Sequence, residues 1–234
     1  MDNTARARQR MLAVFLPITA VLYASAVALN PKGTDQVISA TATAFKVLPI
    51  AAGHSAQLYL SGSLSVLALG GLAVSYAAIA MLVRGRGWVI ATVAALLGGV
   101  GAFSGAMLNV LVGVNLAAAA SAHMTQQAAA LFLVTSFHSV PAQVATDVYF
   151  LSEFAAPVVM GVALWRSRSV PRWLAVLFVV GLGIAESLPS WGPVALLLML
   201  PFAAAMVLLA ARIWQAAALP ASHDQKPAAV PAAT

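Results

Sequence analysis

Carboxylates stand in this chain where an apolar sequence should have none. The stretch "HSVPAQVATDVYFLSEFAAPVVMGVALW" runs from His138 to Trp165, and its second half is apolar enough to cross a bilayer. Yet Asp147 stands at its mouth and Glu153 lies inside it. A further acid, Glu186, ends the apolar run "WLAVLFVVGLGIAE". A charge near the bilayer centre costs about 2.5–3.5 kcal/mol on insertion scales, so such a residue faces protein or water and is by default a candidate functional group. A desolvated carboxyl group keeps its proton to higher pH and can act as a general acid or base near neutrality. Glu153, Glu186 and Asp147 are therefore the candidate catalytic residues.

Spacing singles out Glu153. Tyr149 precedes it by four residues, so both share one helix face. Pro157 follows it by four and has no N–H, so the backbone carbonyl of Glu153 loses its helical partner. Side chain and backbone both offer acceptors at one level, and water, a ligand or a neighbouring helix must meet them. Glu153 is expected to face an enclosed polar pocket lined by Tyr149, with Glu186 or Asn109 reaching in from adjacent helices. Tyr149, Asn109, His138 and Trp191 are the candidate ligand-binding residues. The plainer readings are that Asp147 and Glu186 mark wet helix ends and that Glu153 bonds Tyr149 or Asn109 for structural reasons.

Other chemistries are poorly served. Cysteine is absent, which excludes thiolate catalysis and thiolate metal sites. His54 and His138 form no helical pair of ligands, so no metal or other cofactor is expected. "GGVGAFSG" has no Lys-Ser/Thr after it and reads as a close packing face through Gly101 and Gly105 rather than a phosphate cradle.

What must position these residues is a membrane bundle. The chain of 234 residues is 62% hydrophobic and 8% charged, with mean hydropathy +0.94. Soluble domains carry about 25% charged residues. A span needs about 20 apolar residues to cross about 30 Å of hydrocarbon. Six runs are candidates: Met11 to Leu29, about Leu60 to Val83, Trp88 to about Gly113, about Thr146 to Trp165, the shorter Trp173 to about Leu188, and about Val194 to Trp214. The expected fold is all-α, a polytopic bundle of six transmembrane helices arranged as three hairpins. Two segments, Val37 to Ser55 and Leu116 to Val140, carry Lys46, Pro49 and His54 or the interruption "HMTQQ". They read as long outer connections with short helices that lie on the surface or fold back as lids.

The net charge of +6 forms no single patch, which argues against a nucleic-acid partner. Under the six-span reading Arg6, Arg8, Arg10, Arg84, Arg86, Arg166, Arg168, Arg172 and Arg212 all fall on one side. Basic residues stay inside, so both termini are expected to be cytoplasmic and the protein to reside in the inner (plasma) membrane. The expected organisation is a basic cytoplasmic N-terminus over 1–10, the six-helix domain over 11–214 and a disordered cytoplasmic tail over 215–234. The first helix is read as uncleaved, since its apolar stretch exceeds that of a signal peptide. Under this topology Asp147, Glu153, Glu186 and Asn109 share the outer half of the bundle, and the inner half is nearly bare of polar side chains.

At "SRSVPRWLAVLFVVGLGIAE", Ser167 to Glu186, the chain resembles a family of bacterial membrane proteins, the domain-of-unknown-function family numbered 4386. The shared pattern is a basic residue, Pro-Arg-Trp-Leu and a Gly-bearing apolar helix. The resemblance covers the last third of the chain and implies six helices, with no activity attached. The functional expectation is a buried acidic pocket in the outer half that binds or transforms a lipophilic small molecule by acid-base chemistry. Small polytopic terpene cyclases offer an analogy in size and chemistry only. The alternatives are a small proton-coupled permease, suited by the prolines at 157 and 201, and a non-catalytic partner subunit. The expected partners are the bilayer, a lipophilic small molecule and, compatibly, further copies of the chain.

Overall fold

The computed structural model describes residues 3–34, 40–121, 124–187 and 193–218. Among them every regular element is helical. Helix α1 spans Asn3–Leu29, α2 Thr41–Gly53, α3 Ser55–Leu82 and α4 Trp88–Asn109. A π-helical turn, Val110–Val114, joins α4 to α5, Asn115–Ser121. Helix α6 spans Gln126–Phe137, α7 Val140–Ser167, α8 Arg172–Ser187, α9 Pro193–Leu198 and α10 Leu200–Ala218.

Five stretches are long and apolar enough to cross a membrane: Thr4–Leu29, Ser55–Leu82, Trp88–Ser121, Val140–Ser167 and Leu200–Ala218. Their outward faces carry large apolar side chains; Phe103 is 75% exposed and Leu151 72%. Apolar surface on this scale suits hydrocarbon rather than water, and the chain has the character of a multi-pass membrane protein. Helix α8 has 16 residues, about 24 Å at 1.5 Å per residue, which is short of the hydrocarbon thickness. It nevertheless sits in the core. Phe178 and Leu182 are fully buried, and α8 is packed between α7 and α10. Glycines allow this contact: a Cβ on Gly161 would strike Val179, and one on Gly181 would lie 2.8 Å from the backbone nitrogen of Phe202.

Several boundaries differ from the sequence reading. The third apolar run does not stop near Gly113. It continues through the π turn to Ser121 as one 34-residue helical stretch, so the first part of the expected outer segment, Leu116 to Ser121, extends that rod. The sixth run is broken at Met199, where α9 ends and α10 begins. Pro201 lies just beyond, and it has no N–H to offer the carbonyl four residues back. Helix α10 continues to Ala218, so the first residues of the expected tail are helical; 219–234 lie outside the described residues.

The two expected outer segments fold on each other. Val47, Leu48 and Ala51 of α2, Leu116 and Ala117 of α5, and Ala130 and Leu133 of α6 form a second apolar cluster with Leu58 of α3. This cap is separate from the main core that α1, α3, α4, α7, α8 and α10 share. Arginine-bearing segments gather at the opposite end. Arg10 stacks over Trp214 at 5.6 Å and Arg172 over Trp165 at 5.0 Å. A Cβ on Gly87 would lie 3.1 Å from the carbonyl oxygen of Ala163, so "RGRG" and "RSRSVPR" meet at one end of the bundle.

Candidate functional site

The polar side chains meet near the other end, where α1, α4 and α8 finish and α3 and α7 begin. Glu186, in the last turn of α8, is the hub. Its Oε2 accepts a hydrogen bond of 2.7 Å from the Tyr23 hydroxyl of α1 and one of 2.6 Å from the Tyr149 hydroxyl of α7. Helices α1, α7 and α8 are thus tied through one carboxylate oxygen.

Glycines on α4 create the space. A Cβ on Gly105 would lie 2.7 Å from the Tyr149 ring, one on Gly101 would strike Cβ of Ser152, and one on Gly98 would strike the Tyr76 ring. The positions follow a helical stripe, i, i+3 and i+7, and let α4 come against α7 and α3 as small residues do in membranes. The packing face expected at Gly101 and Gly105 is thus present.

On one side of the tyrosines lies a small cavity of about 20 Å³ walled by Tyr76, Tyr149, Ser152, Glu153, Leu182 and Glu186. That is room for about one water. Glu153 Oε2 is buried there without a hydrogen-bond partner. Glu153 thus shares a pocket with Tyr149 and Glu186, but the phenol of Tyr149 goes to Glu186. The structural bond expected between Glu153 and Tyr149 is not formed.

On the other side lies a larger cavity of about 310 Å³. Tyr23 and Tyr149 are in its wall, with Asn30 and Thr34 after α1, Ser61 and Ser65 of α3, and Asn109 and Gly113 beside the π turn. Phe137 of the cap and Thr146 complete it. Asn109 donates its amide to the Gly105 carbonyl at 3.0 Å. The π turn widens the helix here, a device frequent at functional sites.

Other expected residues stand apart. Asp147 is exposed and belongs to neither cavity wall. Tyr149 turns inward from α7, and Asp147, two residues earlier, lies about 200° away around the helix, on its outer side. His138 is exposed at the end of α6, its ring 6.3 Å from that of Phe137, and lines neither cavity. Trp191 lies outside the described residues. Tyr23 and Tyr76 were missed. A signal for Tyr23 existed: a phenol inside an apolar run must find a partner for its hydroxyl.

No protein-family model, no curated protein and no solved structure matches this chain. The class defined by the fold alone is a multi-pass helical membrane protein.

Proposed function

We propose that the protein is a six-span inner-membrane protein with both termini in the cytoplasm, whose outer-end cavity binds a lipophilic small molecule over an acid-base floor. The resemblance of Ser167 to Glu186 to the six-helix family is part of this proposal, with α8 as the fifth span. The observation that carries the functional reading is the double contact of Tyr23 and Tyr149 with Glu186, made by the same two tyrosines that wall the 310 Å³ cavity. Ligand sites are typically clefts of about 300–1,000 Å³, mostly apolar, with a few convergent polar groups. The tyrosines are the groups a ligand would touch. Glu186 acts through them: it holds the phenolic hydrogens, so it can take a proton from, or return one to, either tyrosine. Glu153 lines the small cavity that Tyr149 and Glu186 also line and can share that proton. Phe137 of α6 lines the cavity, which supports a role for the cap of α2, α5 and α6 in covering it.

The test is recovery of the occupant. Protein extracted into native nanodiscs is washed, and its bound small molecules are identified by mass spectrometry. Ser65→Trp, which fills the cavity from α3, is the comparison. A lipophilic molecule held by the wild type and lost from Ser65→Trp is the expected result. Identical extracts from both would remove the proposal.

A further inference from the structure

The hydrogens of the cavity wall point to the chemistry of the occupant. A hydroxyl has one hydrogen to give and two lone pairs to receive with. Tyr23 and Tyr149 have given theirs to Glu186, at 2.7 and 2.6 Å. Ser61 gives its hydrogen to the Ala26 carbonyl at 2.9 Å, Thr34 to that of Pro31 at 2.6 Å, and Thr146 to that of Ala142 at 2.7 Å. Asn109 has spent one amide hydrogen on Gly105. Ser65 is the wall hydroxyl with its hydrogen uncommitted among the described residues. Among the described residues no lysine or arginine contributes to the wall.

Taken together, five wall hydroxyls are left with lone pairs alone to offer, and behind two of them sits a carboxylate. We infer that the cavity selects an amphiphile whose polar head donates hydrogen bonds, a hydroxyl or an ammonium, on an apolar tail. This rests on the cavity being occupied as proposed above and names the class of its occupant. A carboxylate or phosphate calls for N–H or O–H donors or a cation, and here five wall hydroxyls would turn lone pairs toward it near Glu186, leaving Ser65 and the second amide hydrogen of Asn109 to donate. The tail has its own wall in Val27, Leu69, Leu108, Val112 and Phe150.

The experiment uses the full chain in nanodiscs and three photoreactive probes. All have the same diazirine-bearing alkyl chain and end in a primary hydroxyl, a primary ammonium or a carboxylate. Labelled peptides are read by mass spectrometry. The hydroxyl and ammonium probes should label the wall segments 58–69 and 108–113 at least about fivefold more than the carboxylate, the low end of the penalty for unpaired buried polar groups. Thr34→Val with Thr146→Val, which removes two acceptors and keeps the side-chain shapes, should lower that ratio. Should the double variant not fold, the wild-type ratio alone decides. Carboxylate labelling equal to or above the others, still lost in Ser65→Trp, would overturn this inference and leave the occupied cavity standing. Wall labelling by none of the probes, or labelling unaffected by Ser65→Trp, would overturn both.

Discussion

The Tyr149 hydroxyl of α7 and the Glu186 carboxylate of α8 are joined at 2.6 Å across the helix interface. Residues 37 apart in sequence are thereby held in register, and the same oxygen holds Tyr23 of α1. Interhelical hydrogen bonds in membranes contribute on average about 0.6 kcal/mol and at most about 1.7, while bonds to charged groups in soluble proteins reach about 1.5–3. Tyr149→Phe should therefore lower unfolding stability in bicelles by about 1–2 kcal/mol. In a double-mutant cycle with Glu186→Leu the coupling should be at least about 0.5 kcal/mol. Strict additivity would mean that the contact holds nothing together.

Glu153 should behave differently. Its Oε2 lacks a partner, so no bond is lost when it is replaced. Glu153→Gln keeps the shape and should leave stability within about 0.5 kcal/mol, the usual bound for changes that break no specific contact. Any proton-dependent activity should be abolished, since an amide does not exchange a proton as a carboxyl does. A large fall in stability with activity retained would make Glu153 a structural residue.

The glycine face of α4 gives a packing test. Gly101 has Ser152 against it, whereas Leu96 is 66% exposed on the outer face. Gly101→Leu would need α4 and α7 to separate, at a cost of about 1–3 kcal/mol for overpacking. Leu96→Ala should change stability by less than about 0.5 kcal/mol. Thermal denaturation in detergent separates the two, and equal small effects would place Gly101 at lipid.

Much of this arrangement was legible in the sequence because membranes punish polar groups so heavily. Glu153 and Glu186 stood out against apolar runs, and helix direction alone put them at one end with Tyr149 and Asn109. The partner of Tyr149 was not legible, because it depends on how α7 and α8 rotate about their axes, and those rotations follow from packing at Gly161 and Gly181. The side of α7 on which Asp147 stands was not legible for a related reason: its position along the helix follows from the sequence, but the rotation of the helix does not. The continuation of α4 to Ser121 was hidden because a π turn has no composition of its own; it carries the polar Asn115 into a rod that otherwise reads as finished. Tyr23 was overlooked because a lone tyrosine in an apolar helix resembles the interfacial tyrosines that membranes favour.

The topology prediction separates six spans from five. The turn at Gly87 packs against Ala163 near the end of α7, so reporters fused after Gly87 and after Arg168 should report the same side, which under the proposed orientation is the cytoplasm. The state of α8 is read from the C-terminal end. If α8 and α10 both cross, a reporter after Ala218 reports the cytoplasm too, and one inserted within 188–192 reports the outside. If α8 lies within the bundle without crossing, the reporter after Ala218 moves to the side opposite Arg168. Burial of Phe178 and Leu182 between α7 and α10 favours crossing, since a helix of about 24 Å packed along two spans can be accommodated by local bilayer thinning. A periplasmic signal after Arg168 would sink the orientation, and with it the placing of the Tyr23–Glu186–Tyr149 cluster in the outer half.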